Sequence, residues 1–154
     1  PLYVEPLGAF RRVLGKDHAY TLYYMNNLTI LYQKQGRYDK ARPLAIEYMA
    51  SKKKRAETST DPAASNDYAS AALTCELTDL RDPRSALKFA LAANEKTGNE
   101  NPDYLDTLAL AYSLTGDRAK AIETERRVLS VLPAGRRDRA DFEKRLAGFE
   151  AAPD

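Results

Sequence analysis

Tryptophan is absent from this 154-residue sequence, histidine and cysteine occur once each, and methionine twice. A lone cysteine, Cys75, closes no internal disulfide, so stability must come from buried apolar surface; it also fits a reducing compartment. With one imidazole and one thiol, and no CxxC or His-rich spacing, no zinc ligand set and no nucleophile–base pair can be assembled. His18 follows Asp17 where a helical pattern begins, a natural place for a loop or cap residue, and Cys75 reads as a packed thiol. Phosphate-cradling glycine patterns are missing too: Gly15-Lys16 lacks the preceding Gly and the following Ser/Thr of a P-loop, and TGNENP has no such pattern. No apolar run approaches the ~20 residues of a membrane span, and mean hydropathy is −0.57. A formal net charge of +2 is too small to imply nucleic acid. These absences lead us to expect no enzyme activity, no cofactor, no metal, no nucleic acid and no membrane partner, with a cytoplasmic location.

What the chain does contain is repetition. PLYVE (Pro1 to Glu5) returns as PLAIE (Pro43 to Glu47). More telling, LTILYQKQGRYDKA (Leu28 to Ala41) lies on LALAYSLTGDRAKA (Leu108 to Ala121) without a gap: Leu28/Leu108, Tyr32/Tyr112, Gly36/Gly116, Lys40/Lys120 and Ala41/Ala121 are identical. Leu and Tyr four apart share a helical face, the Gly four further on permits the backbone reversal that ends a helix, and the Ala five later admits close approach of a second helix. Each copy therefore predicts a helical hairpin. A middle copy is supplied by SNDYASAALT and RDPRSALKFALAANEK, in which Tyr68 and Ala69 fit the packing positions of the first helix. There Ala86 answers to Ala41 and Ala121, and CELTDL (residues 75–80) replaces the tight Gly turn with a longer loop.

Capping side chains before prolines at Asp61-Pro62, Asp82-Pro83 and Asn101-Pro102 mark three helix starts. Gly15 closes an earlier helix, and Asp17 or His18 opens the next. Pro6 and Pro43 should bend or delay the helices that hold them. Tyr32, Tyr38 and Tyr112 occupy packing positions and are expected in the core, whereas Tyr20, Tyr23 and Tyr24 cannot all be buried on one face. Near the end, Phe142, Leu146 and Phe149, with Ala140, suggest an amphipathic capping helix. At the start, Leu2, Leu7 and Phe10 are expected to be exposed on an unpaired helix. The clusters Lys52-Lys53-Lys54-Arg55 and Arg136-Arg137-Asp138-Arg139 read as solvated helix termini.

Leu108, Ala109, Tyr112, Gly116, Ala121 and Pro133, with Leu28, Tyr32, Gly36, Tyr38 and Ala41 in the earlier copy, resemble the tetratricopeptide repeat (TPR) pattern. LGKDHAYTLYYMNNLTILYQKQGRYDKARPL is similar to the kinesin light chain variety. LTCELTDLRDP and YLDTLALAYSLTGDRAKAIET are similar to repeats C-terminal in bacterial multidomain serine/threonine protein kinases. The resemblance implies an all-α, right-handed superhelical stack of antiparallel helix pairs (a TPR solenoid) with a C-terminal capping helix. Its divisions would be the second helix of a truncated repeat at 1–15, repeats at 17–56, 61–98 (with the loop at 75–80) and 101–133, and the capping helix at 136–151. It also implies a non-catalytic scaffold that binds a peptide or partner protein in its concave groove. Carried over position by position, the groove residues are Tyr23, Asn26, Asn27, Ile30 and Lys34, then Asn66, Asp67 and Ser70, then Asp103, Asp106, Thr107 and Leu110. Asp67 and Asp106, with no Lys or Arg at equivalent positions, suggest a preference for a basic ligand and no clamp for a terminal carboxylate. The alternative is a structural or self-association segment of a larger bacterial signalling protein, pairing through its truncated N-terminal helix.

Overall fold

The computed structural model describes residues 4–133 and 135–151, so Leu2 lies outside the described residues. These residues are all-α: α1 (Val4–Val13), α2 (Ala19–Lys34), α3 (Tyr38–Thr58), α4 (Pro62–Thr74), a 3-10 turn at Thr78–Leu80, α5 (Pro83–Lys96), α6 (Pro102–Thr115), α7 (Arg118–Val131) and α8 (Arg139–Ala151). Helices α1–α3 form one compact unit and α4–α8 another.

The starts and stops follow local chemistry. Asp61 accepts from the Ala63 amide, Asp82 from Ser85, and Asn101 from Asp103 and Tyr104, each ahead of a proline that lacks the amide a first helical residue would leave unused. His18 is the cap of α2, its Nδ1 accepting from the Tyr20 amide at 3.2 Å. Gly36 and Gly116 have φ of +70° and +90°, which an L side chain adopts only with strain. Their turns match bond for bond: the Arg37 amide donates to the Tyr32 carbonyl at 2.8 Å, and the Asp117 amide to the Tyr112 carbonyl at 2.9 Å. The 80-residue sequence offset is thus also a backbone offset.

In the first unit, Leu7, Met25, Leu28, Tyr32 and Ala41 make the core, with Tyr24, Leu31, Leu44 and Tyr48 packed around it. Three expectations are corrected here. Leu7 is buried, because α1 lies against α2 and turns this residue inward; Phe10 is half-buried, and among the described side chains of α1 the large apolar one left open is Val13, 79% exposed. Tyr38 is 59% exposed: it opens α3 beside the Gly36 turn, where α2 has already ended. Nor does Pro43 delay its helix, since α3 begins five residues earlier and runs through it. Asp17 ties the α1–α2 connection to α3 by accepting from Ser51 Oγ at 2.7 Å and meeting Lys54 at 3.3 Å.

The second unit is built from two hairpins, α4–α5 and α6–α7, with α5 against α6, α4 also touching α6, and α8 against α7. Ala69, Ala72, Ala86, Ala90, Ala93, Ala109, Ala111 and Ala121 have no exposed surface, so the helices meet backbone to backbone. Asn94 bridges α5 to α6 through its Nδ2, which donates to the Tyr104 carbonyl at 2.8 Å. In the middle hairpin the longer loop is closed by Arg81 Nε on the Cys75 carbonyl at 2.7 Å. Phe142 of α8 enters a cluster with Leu105, Val128 and Leu132. Leu146 and Phe149 are half-buried, and Ala140 is exposed because it lies on the far side of the helix from Phe142.

Candidate interaction faces on the first helices

On α2, Tyr23, Asn27, Ile30 and Lys34 follow one stripe, with Asn26 beside it. Tyr23 and Lys34 are exposed; Asn26, Asn27 and Ile30 are half-buried. Polar side chains inside helices usually bond their own backbone, and the α2 threonine does so: Thr29 Oγ1 donates to the Met25 carbonyl at 2.8 Å. Asn26 and Asn27 have no side-chain hydrogen bond among the described residues, which leaves two donors and an acceptor on each unspent. At the N-terminal end of this helix, Phe10, Ala19, Tyr20, Tyr23 and Tyr24 line an open cavity of about 520 Å³. Tyr20 and Tyr23 are both 61% exposed, and the Phe10 ring meets that of Tyr24 at a 31° tilt with centroids 4.8 Å apart. The i, i+4 pair Tyr20/Tyr24 was the sequence signal for this cavity.

In the second unit, α4 presents Asn66, Asp67 and Ser70, all half-buried, and the buried Oδ1 of Asn66 accepts no bond among the described residues. Asp67 and Asp61, with Asp103 of α6, add to burial in pushing the Tyr104 phenol up. Helix α6 differs from the expectation. Arg136 Nη2 sits 2.5 Å from Asp103 Oδ1, and Arg145 Nη1 pairs with Asp106 Oδ1. Thr107 is buried with its hydroxyl donating to the Asp103 carbonyl at 3.1 Å; Leu110 is half-buried. The open acidic face foreseen for a basic ligand is therefore corrected: cations from the chain's own C-terminal segment, more than 30 residues away, already occupy it.

Behind Asp106 lies a group that helix periodicity did not single out. Glu125 of α7 has no exposed surface, and neither of its carboxylate oxygens has a hydrogen-bond partner among the described residues. Burial pushes its pKa up to about 7, the Asp106 charge adding and Arg145 opposing. Asp106 is itself raised by burial, against the pull of Arg145. The signal was present in the repeat register, for the two earlier copies carry Ala45 and Ala90 at this position, both buried.

Hairpins with a left-handed glycine at the turn, buried alanines at the crossing and polar residues on the first-helix face are those of a helical repeat, and one family model matches the first third of the chain. Residues 5–54 match the tetratricopeptide repeat. That TPR match covers α1, α2 and most of α3, and TPRs generally mediate protein–protein interactions. No curated protein matches the chain. No helix among the described residues is long and apolar enough to cross a membrane, and no group of three or more His, Cys, Asp or Glu among them could hold a metal ion.

Proposed function

We propose that this protein is a non-catalytic interaction scaffold in which helix α2 of the first unit takes an extended peptide or a segment of a partner protein, with Asn26 and Asn27 as main-chain readers. The unspent amides carry the proposal. An asparagine both donates and accepts, so it matches a peptide backbone without dictating side chains, while Tyr23 and Ile30 add aromatic and apolar contact on the same stripe. In the second unit, taken by itself, Asp103 and Asp106 are paired internally, so the open part of the α6 face is Leu110 rather than an acidic anchor.

A peptide selected from a random display library against the full chain tests this by paired titration calorimetry and thermal melting. Asn27→Ala should weaken binding by about 1–2 kcal/mol and leave melting nearly unchanged. Tyr32→Ala should lower stability first, since Tyr32 is buried in the first unit's core. Normal affinity in the Asn27 variant, or a stability loss equal to that of the Tyr32 variant, overturns the assignment. A second reading, self-association through α1, is favoured by the aromatic cavity and the exposed Val13. Sedimentation velocity at rising concentration decides it: a dimer abolished by Tyr20→Ser supports it, and a monomer throughout rejects it.

A further inference from the structure

Three consecutive helices of the second unit bring charged groups within electrostatic reach of one another where α8 packs on α7: Arg145 of α8 pairs with Asp106 of α6, and both act on the buried Glu125 of α7. Among the described residues Arg145 is the cation that acts on Glu125, and its guanidinium is already paired with Asp106. Glu125 is fully enclosed with both oxygens unpartnered, at a position where two other copies of the repeat hold a buried alanine. A buried carboxylic acid without a donor is tolerated when neutral and costly when ionised. Two carboxylates served by one guanidinium leave the group with an uncompensated negative charge once both are ionised, and the one on Glu125 is shut off from solvent.

We propose that Glu125, Asp106 and Arg145 form a proton-operated latch that holds α8 on α7 when Glu125 is protonated and loosens it when Glu125 ionises. Opening α8 removes the cover from Glu125, hydrates its carboxylate and so favours the open form as protons are withdrawn. The sign follows from linkage. Enclosure lifts the group from 4.5 to about 7, so the closed form is favoured fully below the ordinary carboxylate range and loses that advantage as pH rises through neutrality. Other contacts also hold α8 down and oppose its opening: Phe142 in its apolar cluster, Arg126 on Glu150 at 2.7 Å, and Arg118 Nε on the Phe149 carbonyl at 2.7 Å. The consequence for binding is direct, because α8 brings the arginine that occupies Asp106. Loosening it exposes an acidic residue on a first helix. This last step rests on the proposed ligand face, whereas the latch itself does not.

Amide hydrogen exchange of the full chain, corrected for intrinsic rates and followed from pH 5.5 to 8.5, tests the latch without any ligand. The opening constant of α8 should rise at least tenfold, with a midpoint near neutrality, while the amides of α2 and α3 show no such rise. Glu125→Gln keeps the side-chain volume and removes the titration, so its α8 amides should exchange independently of pH. Arg145→Gln removes the charge that favours ionised Glu125 and should move the midpoint to higher pH, a change that a merely structural role would not produce. A flat α8 profile in the unsubstituted chain overturns the proposal. So does a pH-dependent profile that persists in Glu125→Gln, or a midpoint unmoved by Arg145→Gln.

Discussion

Replacing Ser51 by Ala removes the strongest single contact on Asp17. Ser51 is 4% exposed on α3, and its hydroxyl donates to Asp17 Oδ1 at 2.7 Å across the first unit. That bond, followed by Lys16 at 3.1 Å and Lys54 at 3.3 Å, holds the Asp17 carboxyl down at about 2 instead of 3.8. A depressed acid stabilises the fold above its unfolded pKa and ceases to do so as pH falls through the folded one, so the contribution is present at neutrality and fades between about pH 4 and pH 2. Taken at face value the shift corresponds to about 2.5 kcal/mol. With 40% of the Asp17 side chain in solvent, screening reduces it, and we expect Ser51→Ala to cost about 1 kcal/mol at pH 7. Urea unfolding of the single and double variants with Asp17→Asn, at pH 7 and at pH 2.5, gives the coupling directly. An unchanged midpoint at pH 7, or a loss that is as large at pH 2.5, would refute the reasoning.

Gly116→Ala should lower stability by about 1 kcal/mol through backbone strain alone, because φ is +90° while nothing lies within 4 Å of the added methyl. Gly8→Ala, inside α1 and equally free of contacts, should instead raise stability by about 0.5–1 kcal/mol; chemical denaturation of both reads the contrast. Phe142→Ala should cost about 3–5 kcal/mol as a cavity in the α8 cluster, and fast exchange across α8 amides would accompany it. A loss below about 1 kcal/mol would mean that α8 is not held by this residue.

The repeat was readable because its governing interactions are local. A cap, a proline one residue later and a glycine at a reversal lie within a few positions of one another, so Asp61, Asp82, Asn101, Gly36 and Gly116 announced their roles in the sequence. Leu7 and Tyr38 were misjudged because burial depends on which helix faces them. The same residue spacing that puts Tyr32 in the core leaves Tyr38 past the end of its neighbour. The α2 stripe proposed as the ligand face was legible as a helical pattern, but the state of its polar groups was not. Asn26 and Asn27 stay unspent, whereas Asp103 and Asp106 are satisfied by arginines that become neighbours only when the chain folds back after α7. Glu125 could have been noticed as the acid standing where Ala45 and Ala90 stand.

The central claim is that the α2 stripe meets the partner, and site-specific photo-crosslinking tests it most directly. Benzoylphenylalanine is placed at position 27, or at the exposed Ile46 of α3 as a control, and irradiated with a display-selected peptide of saturable affinity. The scaffold reading predicts a crosslink from position 27 that excess unlabelled peptide abolishes, and none from position 46. A crosslink from position 46 with none from position 27 would contradict it.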